Sequence, residues 1–76
     1  MTSRVVSYHI GRLKDKNPEV RLKSIQELRL LADIAALDPL REVFETDDDP
    51  AVRKAAQEAG REIFVAHNKK KNSEKK

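Results

Sequence analysis

The 76 residues contain no cysteine, which excludes a disulfide framework and thiol chemistry. Aromatic residues are almost missing, with one Tyr, two Phe and no Trp, so side chains on which bases could stack are scarce. The only glycines are Gly11 and Gly60, too far apart to form a glycine-rich phosphate loop. No apolar run approaches the roughly 20 residues that a membrane-spanning helix needs. The N-terminus also lacks the apolar core of a secretory signal. The expectation is a soluble, cytoplasmic protein. Ser3, Ser7, Ser24 and Ser73 lie beside no convergent histidine and carboxylate, so a nucleophilic enzyme is not expected. No catalytic residue, metal or cofactor is assigned.

What the chain does have is charge. Asp, Glu, Lys and Arg make up 38% of it against 4% aromatics, a balance that suits helices better than a sheet. Length allows one small domain, only marginally stable by itself. The net charge is unevenly placed. Lys69, Lys70, Lys71, Lys75 and Lys76 against Glu74 put +4 in residues 67–76, and since the whole chain carries +3 the remainder is −1. The high isoelectric point therefore belongs to the tail and says little about the folded surface.

One pattern occurs twice. Asn17-Pro18-Glu19-Val20-Arg21 returns as Asp49-Pro50-Ala51-Val52-Arg53, offset by 32 residues. In each copy a short polar side chain can accept from the first free amides of a helix. The proline then takes the first helical position, where its missing donor costs nothing. Recurrence at a period near thirty residues is the mark of stacked repeats. The surrounding sequence extends the match. Leu31-Ala32-Asp33-Ile34-Ala35-Ala36-Leu37-Asp38-Pro39-Leu40 leads through Arg41-Glu42-Val43-Phe44 to Asp47-Asp48-Asp49-Pro50 and Val52-Arg53-Lys54-Ala55-Ala56. From about Val5 to Phe64 the chain resembles the HEAT-like repeat of the phycobilisome-lyase type. The resemblance implies an all-α fold: an α-solenoid fragment of two helical hairpins, about 3–32 and 33–66, with four helices in all. It implies no one activity, since such repeats serve many functions.

Apolar spacing places the four helices. The first is expected over Ser3 to Lys14, with Val5, Val6, His9 in part, Ile10 and Leu13 inward. The second is expected from Pro18 to Ala32 on a stripe of Val20, Ser24, Leu28 and Leu31, widened by Leu22, Ile25 and Ala32. Asp33 caps a third, about Ile34 to Thr46, with Leu37, Leu40, Val43 and Phe44 inward. Pro39 should kink or loosen its first turn; the competing reading starts this helix at Pro39 with Asp38 as cap. The fourth runs from Pro50 to about Ala66, with Val52, Ala56, Ala59, Ile63 and Phe64 inward. Gly60 in its middle costs roughly 1 kcal/mol against Ala, which close approach of a neighbouring helix would offset. Residues 67–76 lose apolar character, and disorder is expected there.

Six groups of residues bear on the functional expectations. Arg21 and Arg53 occupy equivalent places, and the resemblance implies that each reaches acidic turn residues of an adjoining repeat as a structural ladder. Arg21 is expected at Asp47 or Asp48, and Arg53 at Asp15 if the geometry permits. The run Asp47-Asp48-Asp49 has none of the alternating ligands, glycine and distal glutamate of a calcium loop, so helix capping explains it better. His9 and His67 are followed by Ile10 and Asn68, so the paired His-Glu dyads of hydroxylases with similar repeats are not carried over. The expected function is a non-enzymatic scaffold or adaptor for a protein partner. Lys23, Gln26, Glu27 and Leu30 of the second helix and Lys54, Gln57, Glu58, Arg61 and Phe64 of the fourth are its candidate contacts. Apolar residues at both ends, Val5, Tyr8, Phe64 and Val65 among them, add the expectation of a homodimer or docking into a larger complex. The alternative function is association with nucleic acid through Arg4, Arg12, Lys14, Lys16, Lys69, Lys70 and Lys71, which would neutralise phosphates without reading sequence.

Overall fold

The computed structural model describes the backbone of residues 3–75 and the side chains of residues 3–68. The helices are α1 Arg4–Arg12, α2 Pro18–Leu31, α3 Leu37–Thr46 and α4 Pro50–Lys75, with a single 3₁₀ turn at Ile34–Ala36 leading into α3. The described residues contain no strand. α1 packs on α2, α2 on α4 and α3 on α4. The molecule is therefore two helical hairpins joined side by side along α2 and α4.

α1, α2 and α4 each begin where a short polar side chain can satisfy their first amides, whereas α3 follows directly on the 3₁₀ turn at Ala36 without a side-chain cap. Ser3 Oγ accepts from Val6 N (3.1 Å), Asn17 Oδ1 from Glu19 N (2.9 Å) and Asp49 Oδ1 from Ala51 N (2.8 Å). Asp33 Oδ1 accepts from Ala35 N at 2.8 Å, so this residue caps the 3₁₀ turn. Pro39 falls in the first turn of α3, where no amide donor is needed. The loosening expected there takes the form of the 3₁₀ turn before it. Asp38 lies one residue inside α3 and does not cap it.

The helix ends depart from expectation in two places. α1 stops at Arg12 rather than Lys14, because the chain tightens into three-residue bonds: Leu13 N to Ile10 O, Lys14 N to Gly11 O and Asp15 N to Arg12 O. α4 continues past Ala66 to Lys75. After Gly60 the sequence holds no proline or glycine to stop it, and Lys, Glu, Asn and Ser are all tolerated in a helix. The backbone from His67 to Lys75 is thus helical where disorder was expected; the side chains of Lys69–Lys76 lie outside the described residues. α2 ends close to expectation, with Ala32 in the left-handed region at φ 52° and its N–H donating to Leu28 O at 3.0 Å.

The core contains Val6 of α1 and Leu13 just after it, Ile25 and Leu28 of α2, Ala36, Leu40 and Val43, and Val52, Ala56, Ala59 and Ile63 of α4. Burying this apolar face stabilises the domain by roughly 25 cal/mol per Å² removed from water. Five residues expected inward are exposed: Val5, Leu31, Phe44 and Phe64 at 54%, 43%, 40% and 55%, and Ala32 at the left-handed end of α2. The cause is the two-hairpin architecture. Ile63, at the α4 position equivalent to Leu31, is buried because it has a hairpin before it, and Leu31 has none among the described residues. Phe44 and Phe64 sit on the opposite side, where no described hairpin follows.

Candidate functional site

Arg21 joins the two interhelical turns. Its Nη1 donates backwards to the carbonyls of Asp15 (2.7 Å) and Lys16 (3.2 Å). Its Nη2 donates forwards to Asp47 Oδ1 at 3.1 Å, and its Nε lies 2.9 Å from Asp47 Oδ2. That second contact is off the N–H axis, since Nε is buried without an in-line acceptor, so it is an ion pair rather than a good hydrogen bond. Asp48 Oδ1 is 3.6 Å from Nη2, but its side chain is 96% exposed and adds little. Arg21 and Asp47 are 12% and 8% exposed, which makes their pairing a partly buried, charge-assisted contact.

Arg53 behaves as Arg21 does on its backward side only. Its Nη1 donates to Asp47 O at 2.7 Å. It does not meet Asp15, the partner the sequence suggested, because Asp15 belongs to the turn before Arg21, one hairpin away. The acidic turn is otherwise used for capping: Asp47 Oδ1 accepts from Asp49 N (2.9 Å) and Asp49 Oδ1 from Val52 N (3.3 Å).

The candidate contact residues fall on three separate hollows. Gln57, Arg61 and Phe64 line a groove of about 340 Å³ between α3 and α4, together with Ala56, Gly60, Leu37, Leu40, Phe44 and Arg41. Lys23 and Glu27 line a polar crease of about 410 Å³ against Tyr8, His9 and Arg12 of α1. Gln26 and Glu58 lie in the crease between α2 and α4, beside Ile25, Arg29 and Glu62. Leu30 and Lys54 stand exposed outside all three. The sequence did not single out Arg41, Phe44 or Gly60 as groove residues. It also missed the exposed Arg29 Nη1–Glu62 Oε1 pair across α2 and α4 at 3.2 Å. Arg41 and Phe44, three apart on α3, carried a weak signal, but the sequence pattern had turned Phe44 inward.

Gly60 does not serve the close approach expected of it. A Cβ built there meets nothing within 4 Å, so no helix of the described residues uses the space. By the 32-residue offset it stands where α2 has Leu28, which is fully buried. The α4 face that includes Gln57, Gly60 and Phe64 is therefore an apolar notch left open. Of the basic residues considered for nucleic acid, Arg12 has its Cζ 5.6 Å from the Tyr8 ring centroid and Nη2 3.9 Å from Asp15 Oδ2. Arg4, Lys14 and Lys16 are exposed along α1 and the turn after it, and the side chains of Lys69, Lys70 and Lys71 lie outside the described residues. No helix of the described residues is long and apolar enough to cross a membrane.

No match was found among curated proteins or among solved structures. The family profile of HEAT repeats matches residues 2–60, which takes in α1, α2, α3 and the first part of α4. HEAT repeats generally mediate protein interactions and are typically scaffolds without enzymatic activity. Helical hairpins stacked side by side, proline-started second helices and a match over most of its length together place this chain in the HEAT repeat family.

Proposed function

We propose that the chain is a non-enzymatic interaction module of two repeats of the phycobilisome-lyase type, whose α3–α4 groove takes a helix of a protein partner. One observation carries the reading: the groove pairs two half-exposed phenylalanines, Phe44 and Phe64, with an unfilled notch at Gly60. Apolar residues rimmed by Arg41, Arg61 and Asp38 suit an amphipathic helix laid into a groove. Aromatic anchors of this kind supply much of the energy of an interface when they are fully desolvated.

The test is retention of a partner on immobilised chain, compared between wild type, Phe64→Glu and Leu30→Glu. The expected result is a partner held by wild type and Leu30→Glu and lost with Phe64→Glu. Equal retention by Phe64→Glu, at unchanged helicity, overturns the groove as the binding face.

A further inference from the structure

The two interhelical turns are one device in two states of occupancy. In each, an aspartate Oδ1 accepts from the backbone N–H two residues on, Asp15 from Asn17 and Asp47 from Asp49, both at 2.9 Å. In each, an arginine six residues on donates through Nη1 to that aspartate's carbonyl, Arg21 to Asp15 and Arg53 to Asp47, both at 2.7 Å. The Asp47 carboxylate is filled by Arg21 from the preceding turn and is 8% exposed. Among the described residues the one cation at the Asp15 carboxylate is Arg12, with Nη2 at a loose 3.9 Å, and Asp15 is 34% exposed. Arg53 mirrors this. Among the described residues its guanidinium meets the Asp47 carbonyl and no carboxylate, so Nε and Nη2 remain to be used. One end of the stack thus shows an arginine fork without its aspartate, and the other an aspartate of the same turn geometry without its arginine.

We propose that copies of this chain associate head to tail, with the Arg53 guanidinium of one copy taking the Asp15 carboxylate of the next. The contact that Arg21 makes with Asp47 inside the chain would then be repeated between chains. The faces beside the two groups agree with this continuation. On α4, Arg53, Gln57, Gly60 and Phe64 share one face by helical spacing. On α2 the positions equivalent to buried Val52 and Ile63 are Val20 and the half-exposed Leu31. These are the side chains a preceding hairpin would cover. Lys23 and Glu27 stand where α4 has Ala55 and Ala59, which keeps the joint polar and the association weak. The operator is heterologous rather than two-fold, so oligomers grow with concentration instead of closing at a dimer. The inference rests on reading the α3–α4 face as a binding face and adds which molecule covers it.

The test is a charge exchange followed by sedimentation velocity. Arg53→Glu sets a carboxylate against Asp15 of the next copy, and Asp15→Arg sets one guanidinium against another at the same joint. Each variant alone is expected to lose association, and an equimolar mixture is expected to regain it, because both joints in the mixture are then oppositely charged. Wild type that stays monomeric up to about 1 mM, the weak end of specific association, overturns the proposal; so do variants that associate as wild type does. Should Asp15→Arg fail to fold, Asp15→Asn keeps the turn's Oδ1 acceptor and is expected to lose association on its own. A nitroxide at Gln57→Cys gives a second readout on isotope-labelled wild type. Broadening of the Asp15 turn and Val20 supports the head-to-tail joint, and broadening centred on Gln57 and Phe64 shows a two-fold dimer and overturns it. Self-association is read without any other protein, so its failure leaves partner retention by the groove to be judged separately.

Discussion

Leu28→Ala tests the core assignment most directly. Leu28 is fully buried, on the α2 stripe between Ser24 and the helix end, whereas Leu30 two residues away is 71% exposed. Truncating a buried leucine loses the transfer energy of its methyl groups and leaves a cavity, together about 2–5 kcal/mol. A domain of this length holds roughly 4–10 kcal/mol in total. For domains this small, each kcal/mol lowers the midpoint by about 4–8 °C, so Leu28→Ala should lower it by at least about 8 °C. Leu30→Ala removes the same atoms from water-exposed surface and should stay within about 0.5 kcal/mol of wild type. Thermal and urea melts followed by circular dichroism measure both, and an unchanged denaturant slope would show that stability changed without altering the compactness of either state. Equal loss in the two variants, or a Leu28→Ala midpoint near wild type, would refute the packing of α2 against α4.

Other perturbations separate the remaining contacts. Arg21→Ala strands the nearly buried Asp47 carboxylate and should cost on the order of 3 kcal/mol; a double-mutant cycle with Asp47→Ala should return a coupling clearly above zero, and additive losses would count against the pair. Ala32→Gly should raise stability by roughly 0.5–1 kcal/mol, because a left-handed alanine is strained by more than the flexibility glycine adds to the unfolded chain; a lower melting point would contradict the observed φ. Gly60→Ala should also stabilise the isolated chain, by about 1 kcal/mol, while weakening whatever occupies the groove, since the added methyl projects into open space. Removing residues 69–76 should shift the midpoint by no more than about 4 °C, because among the described side chains none after Ile63 is buried; a larger drop would mean that the tail packs on the domain.

The local grammar of the chain was enough to find most of its helices. Asn17 and Asp49 cap where the prolines that follow them said they would, and Asp33 opens the third segment, because capping and proline placement depend on a few neighbouring residues. Helical periodicity likewise marked Val6, Leu13, Ile25, Leu28, Leu40, Val52 and Ile63 as core. It could not distinguish those from Val5, Leu31, Phe44 and Phe64, since a residue's own spacing does not reveal whether another hairpin lies against it. The end of α4 escaped because composition alone reports lost apolar contacts, not the continuity of a backbone that nothing interrupts. The candidate faces divided for a related reason. Lys23 and Gln57 were both expected on the contact faces of their helices, yet one lies in the crease of α1 and α2 and the other in the groove of α3 and α4. The offset of 32 residues made Arg21 and Arg53 equivalent; only the stacking of the hairpins decided that Arg21 finds Asp47 and that Arg53 stands with half its guanidinium open.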